Sequence, residues 1–162
     1  MKFIADAMLG RLAKWLRILG FDVLYYPVID DRLVIKIARE QERTILTRDT
    51  RLVRHKGLRN SILIESNNIF DQLLEIKDRL DFKDAASSGR CTVCNGTLSS
   101  VSQKKEIKEF VPDFIYHNFN DFIKCEDCGK VYWEGTHREK IRQKVKEIFS
   151  APSELLRRQG RN

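Results

Sequence analysis

The chain has 162 residues, 42% hydrophobic and 33% charged, with three prolines. That balance excludes a disordered, collagenous or membrane-embedded protein and allows one ordinary domain plus a small appendage. Thirty Lys and Arg against 23 Asp and Glu leave a net charge of +7, most of it in residues 136–162. A basic chain end suits a polyanion such as nucleic acid, or is a solvated helix face.

Met1-Lys2-Phe3-Ile4 runs directly into Asp6, with no signal peptide or apolar span, so a cytoplasmic location is expected. Phe3-Ile4-Ala5 predicts a short strand ending at Asp6. Leu9, Leu12, Ala13, Leu16 and Leu19 recur at helical spacing, Gly20 is placed to end that helix, and Arg11, Lys14 and Arg17 take another side. Phe21 to Tyr26 predicts a second strand, stopped by Pro27. Asp30 or Asp31 caps a helix through Val34, Ile35, Ile37 and Ala38. Thr44 to Thr47 predicts a third strand, Asp49 opens a short helix to His55, and Ser61 to Ile64 a fourth strand. Asn67 or Asn68 caps a helix carrying Ile69, Phe70, Leu73, Leu74 and Ile76. Such β-α alternation over residues 1–81, with strands too apolar for one-sided exposure, argues for a parallel sheet between two helix layers. Residues 81–89 read as a linker to a second unit over 90–135. The Thr136-His137-Arg138-Glu139 capping box then begins a basic helix and tail over 136–162.

All the cysteines stand in two CxxC pairs, Cys91–Cys94 and Cys125–Cys128. Each pair offers two thiolates to one ion, and two such turns complete a tetrahedron, which predicts a four-cysteine ribbon with an inserted excursion. Asn95-Gly96 and Gly129 follow the knuckles, where the chain must turn back with positive φ. Disulfides are the alternative, but a reducing cytosol favours metal. Iron would use the same four sulfurs. Zinc is expected because no partner flavin or second redox motif accompanies them. The all-thiolate shell is closed, so this metal is structural and catalysis lies elsewhere.

Acids stand where a parallel sheet places its active sites, at the carboxyl ends of strands. Asp6 ends strand one, Asp30-Asp31 follows strand two, Asp49 follows strand three and Glu65 ends strand four. Converging carboxylates repel, and Mg²⁺ or Mn²⁺ with hard oxygen ligands resolves the repulsion. Two such ions can activate a water against a phosphodiester. Taken singly, Asp30, Asp31 and Asp49 are also ordinary helix caps. Arg11, Lys14, Arg17, Arg48, Arg51 and Arg54 flank the acids and could hold phosphates, or form a solvated basic face.

The run from Asp6 to Gly20, Asp-Ala-Met-Leu-Gly-Arg-Leu-Ala-Lys-Trp-Leu-Arg-Ile-Leu-Gly, followed by Phe21-Asp22-Val23, resembles the opening of the Mut-seven C-terminal ribonuclease family. Thr47-Arg48-Asp49 is similar to that family's third-strand motif, and both CxxC pairs with Val131-Tyr132-Trp133-Glu134-Gly135-Thr136-His137 resemble its zinc ribbon. The resemblance covers about residues 2–140. It implies a PIN-like three-layer α/β/α sandwich with metal-dependent ribonuclease chemistry. On that resemblance Asp6 is the first-strand acid, Asp49 the third-strand acid, and Asp30 the second, with Asp31 one step away. Glu65 stands about where many PIN nucleases put a fourth acid.

The resulting expectation is a ribonuclease in which Asp6, Asp30 and Asp49 bind Mg²⁺ or Mn²⁺. The zinc ribbon and the final helix, with Lys140, Arg142 and Lys144, would add RNA affinity. The rival readings are a catalytically weak or inactive RNA- or ribosome-binding adaptor, and a protein-interaction module that docks through the ribbon.

Overall fold

The computed structural model describes residues 1–55, 58, 60–81, 83, 89–133, 147 and 149. Four short strands, β1 (Lys2–Ala5), β2 (Asp22–Tyr25), β3 (Thr44–Thr47) and β4 (Ser61–Leu63), pair in parallel in the order β2-β1-β3-β4. Alternation along each strand buries both faces of the sheet. Phe3, Ala5, Val23, Leu46 and Ile62 share a core with the apolar stripes of α1 (Gly10–Ile18) and α4 (Ile69–Lys77). Ile4 and Ile45 share a second core with α2 (Asp31–Glu40) and α3 (Thr50–Val53). Fully buried side chains such as Leu12, Leu16 and Leu73 each contribute about 2 kcal/mol by leaving water.

The caps match the sequence. Asp30, Asp49 and Asn68 accept hydrogen bonds from the first turns of α2, α3 and α4. Gly20, at φ 95°, ends α1: its N–H donates to the Arg17 carbonyl while the Phe21 N–H donates to Leu16. Trp15 packs on this core, edge-on to Phe70.

A second sheet is antiparallel, in the order β5 (Leu98–Ser100), β6 (Phe122–Cys125), β7 (Val131–Trp133). A 3-10 segment over Lys104–Phe110 and helix α5 (Asp113–Asn118) form the excursion between β5 and β6. Ile107 and Val111 from the excursion pack with Phe122 and Val131 in a small core of their own. Among the described residues no helix is long and apolar enough to cross a membrane. Most of the expected linker, the start of the final helix, and Lys140, Arg142 and Lys144 lie outside the described residues. Phe149 is described, and it packs against the core beneath α1 and α4.

The two units meet along the edge of β2. An edge strand leaves its outward N–H groups unpaired, and here the Val23 N–H donates to Asn95 Oδ1 at 2.9 Å. Asn95 Nδ2 donates to Asp22 Oδ1 at 2.8 Å, and Asp22 also pairs with the buried Arg43 guanidinium, at 2.6 Å to Oδ1. Arg43 in turn donates to the Phe3 carbonyl, joining the starts of β1, β2 and β3. Arg17 corrects its expected role. It is buried rather than displayed on a basic face, and its guanidinium donates to the carbonyls of Val23, Thr92 and Val93. A cation that donates to three backbone carbonyls in a buried seam joins the two units and is not displayed on a basic face.

Candidate active site and metal centre

The order β2-β1-β3-β4 reverses direction between β1 and β3, because β1 connects outward to β2 and β3 outward to β4. The crevice beyond the carboxyl ends of these two strands is the topological switch point, where open α/β sheets place their ligands. Asp6 and Asp49 flank it.

Asp6 follows the last residue of β1, and its N–H continues the ladder by donating to the Leu46 carbonyl. Its side chain is nearly buried, so its oxygens need partners. Oδ1 accepts from the Met8 N–H at 2.8 Å and caps a 3-10 turn over Ala7–Leu9. Oδ2 accepts from Thr47 Oγ1 at 2.5 Å and from the Arg48 N–H at 2.9 Å. The same Thr47 hydroxyl accepts from the Asp49 N–H at 2.9 Å. One fully buried hydroxyl therefore ties the two acids' segments together across the crevice.

Asp49 caps α3 through the Arg51 N–H and forms a salt bridge with the exposed Arg51 side chain at 3.1 Å. Hydrogen bonds from Arg51 hold its carboxyl below the ordinary value, and Arg51 is raised by Asp49 and, more weakly, by the charge of Asp31. Asp31 is thus within electrostatic reach of the Asp49–Arg51 pair. Asp30 is exposed and caps α2 through the Leu33 N–H at 3.0 Å. Glu65 is exposed just beyond β4, and its N–H donates to Glu75. Among the described residues, the acids are not drawn together into a group of metal-ligand atoms as the cysteines are.

The basic residues divide. Arg11, Lys14, Arg51 and Arg54 are exposed. Arg48 is half-buried, and its guanidinium donates to the Glu65 carbonyl and to Asn67 Oδ1, so it braces the ends of β3 and β4.

Cys91, Cys94, Cys125 and Cys128 bring their sulfurs within 4.8 Å of one another, and none is in a disulfide. The nearest pairs, Cys91–Cys128 and Cys94–Cys125, stand at 3.5 and 3.4 Å. A zinc tetrahedron with bonds of about 2.3 Å has sulfurs about 3.8 Å apart, so this donor set fits zinc with small adjustment. Asn95 and Gly129 both take φ 73°, the left-handed turn expected after each knuckle. A Cβ on Gly96 would strike the Asp127 carboxylate and lie 2.9 Å from Cys125 Sγ, so the close packing of the two knuckles excludes a side chain there. Burial opposes ionisation of Cys91, but the Tyr132 hydroxyl and the Cys94 and Val93 amides outweigh it and bring the thiol down to about 6. Burial pushes Cys94 up to about 12.

Sequence reasoning placed Thr47, Asn95 and Tyr132 in motifs and turns but missed what their side chains bind. A signal existed for Thr47, a hydroxyl at the end of a buried strand between two candidate acids. Asn95 and Tyr132 carry none, because their partners Val23, Asp22 and Thr92 lie far away in sequence or across a sheet.

Fold and site together define a class: a parallel α/β domain with acids at its switch point, joined to a four-cysteine metal-holding ribbon. The family model described as the Mut7-C RNAse domain matches residues 1–145. The chain therefore belongs to the Mut7-C family. No curated protein and no solved structure matches it.

Proposed function

We propose that this protein is a PIN-type ribonuclease that uses Mg²⁺ or Mn²⁺ at the switch-point acids and carries zinc in its ribbon for structure. The observation that supports this most is the buried Thr47 hydroxyl, which links Asp6 to the Asp49 segment across the β1–β3 crevice. A nearly buried carboxylate held by three donors, with Oδ1 accepting only one of them, is a hard oxygen ligand already fixed in place. Asp6 and Asp49 would hold the ion, with Asp30 or Asp31 entering from the start of α2. When bound, the ion supplies an activated water and neutralises charge on the phosphodiester. To serve as a ligand Asp49 would give up its pairing with Arg51, whose exposed side chain could then reach a phosphate oxygen. Exposed Arg11 and Lys14 would hold the backbone, and Lys140, Arg142 and Lys144, outside the described residues, would add RNA affinity through their charge.

The test is cleavage of labelled RNA by the full chain in Mn²⁺, compared with Asp6→Asn/Asp49→Asn. Loss of cleavage in the double variant is expected; equal rates would refute the assignment. One observation favours a second reading. Arg51 already neutralises Asp49, as it would in a non-catalytic RNA- or ribosome-binding adaptor. In that case a Mn²⁺-soaked crystal has no density at Asp6 and Asp49, while salt-dependent RNA binding persists.

A further inference from the structure

Four of the large apolar side chains left in water, Met8 (65% exposed), Tyr26 (40%), Val28 (91%) and Leu33 (44%), follow the carboxyl ends of β1 and β2, while Met1, Val93, Phe110 and Phe114 are exposed elsewhere. Tyr25 holds their loops together. Its hydroxyl donates to the Ala7 carbonyl at 3.3 Å, and its ring lies where a Cβ on Gly10 would stand, 2.6 Å away. Met8 is therefore fixed beside the loop that displays Tyr26 and Val28, and the Leu33 N–H is bound by the Asp30 cap next to them. These four side chains stand at the sheet edge that also carries the candidate acids. Singly exposed apolar residues need no explanation, but several gathered at the edge that holds a candidate site form an apolar rim suited to binding.

The match to an RNAse domain points to RNA as the occupant, and Arg11, Arg32 and Arg51, exposed on the same sheet edge, can meet its phosphates between the carboxylates of Asp30 and Asp31. A single-stranded polyanion presents apolar base faces and negative phosphates at once. We infer that the rim of Met8, Tyr26, Val28 and Leu33 is a base-stacking subsite for unpaired RNA, with Tyr26 as its aromatic platform. Bases resting on the rim run the adjoining phosphates past Asp6. Duplex RNA, whose bases are stacked internally, gains nothing from it. The inference rests on RNA being the partner, but not on cleavage.

The experiment measures fluorescence anisotropy of a labelled, unstructured oligoribonucleotide of about 12 nucleotides, and of a duplex of equal length. It uses the full chain in the Asp6→Asn/Asp49→Asn background, so that RNA survives. Tyr26→Ser, and separately Val28→Ser, should weaken single-strand binding about tenfold and leave duplex binding unchanged. Circular dichroism confirms that each variant is folded. Single-strand affinity unchanged in both variants overturns the subsite, as does a parallel loss for duplex. A dimer in sedimentation that Val28→Ser dissociates also overturns it, because the rim would then be a self-interface. Cleavage by the otherwise wild-type chain separates the two ideas. Tyr26-dependent binding without cleavage leaves the subsite standing and removes the catalytic reading. Normal cleavage with Tyr26-independent binding does the reverse.

Discussion

Asn95 is the residue whose replacement should reveal how the two units depend on each other. Its side chain is buried and makes two bonds across the seam, accepting from the Val23 N–H and donating to Asp22. Asn95→Gly keeps the left-handed backbone at no steric cost and removes both bonds. Leaving the Val23 N–H unpaired costs about 1–3 kcal/mol, and losing a hydrogen bond to a charged carboxylate about 1.5 more. Asp22 keeps Arg43, so the total should be about 3 kcal/mol, a large part of the roughly 5–15 kcal/mol that holds a domain folded. In urea the midpoint should fall by about 1–2 M. Asn95→Ala should be worse, because a Cβ at φ 73° adds backbone strain. Hydrogen exchange locates the effect: the Val23 amide and its neighbours in β2 should lose protection, although the substitution is in the knuckle. An unchanged midpoint with unchanged exchange at Val23 would refute the idea that the knuckle covers the sheet edge.

Four further outcomes follow from the geometry. Thr47→Val should destabilise by about 1–3 kcal/mol, since Asp6 loses a donor and the Asp49 N–H its acceptor, while Thr47→Ser should recover most of it; urea unfolding checks both. Gly10→Ala should destabilise by about 1–3 kcal/mol, despite Ala's better helix propensity, because Tyr25 occupies the space; a raised melting temperature would contradict this. Burial opposes the Asp22 carboxylate, but hydrogen bonds from Arg43 and Asn95 outweigh it and hold its carboxyl below the ordinary value. Its stabilising effect is therefore full above the unfolded pKa of about 3.9 and is lost as pH falls through the lower folded value. The stability gap between metal-free wild type and Asp22→Asn should close over that acid range. Cys91→Ser should abolish stoichiometric zinc by elemental analysis and should also lower protection in β2, because Thr92, Val93 and Asn95 hang from the same knuckle.

The sequence displays whatever follows from local chemistry. Strand alternation, the helical stripe from Leu9 to Leu19, the caps at Asp30, Asp49 and Asn68, and the CxxC turns depend on neighbours within a few residues. The acids could be placed at one sheet edge because parallel topology puts strand ends there. Side-chain direction across long separations was not legible. Arg17 sits on α1 between exposed Lys14 and half-buried Ile18, so spacing gives it a solvent face; distant carbonyls of Thr92 and Val93 draw it inward instead. Arg48 misleads for the same reason, since Asn67 and the Glu65 carbonyl capture it from the end of another strand. Asn95 looks like a turn residue and is one, but its φ shows nothing of its bond to Val23.

The four-cysteine ribbon and the acidic crevice lie at opposite ends of the same strand. Asp22 and Val23, at the start of β2, are held by the first knuckle. Tyr25, at its end, is fastened over Gly10 and to the Ala7 carbonyl, one residue from Asp6. Four strand residues at about 3.3 Å each separate the ends, too far for the thiolate-bound ion to share a ligand with the acids. The ribbon can therefore act on the crevice through the position of β2. This strand has one hydrogen-bonded neighbour, β1, and on its other side the knuckle replaces the missing partner. If the knuckle opens, β2 keeps its ladder to β1 but loses Asn95 and the Arg17 contacts at once. Tyr25 and the Tyr26–Val28 loop are then the parts of the crevice wall most exposed to the change. Asp6 and Asp49 are insulated from it, because Thr47 on the central strand β3 joins them directly. Chelation of the ribbon metal should accordingly weaken single-strand binding at the rim before it disturbs the acids. Anisotropy titrations with and without chelator, read beside exchange at the Asp6 and Arg48 amides, distinguish that order from a uniform collapse.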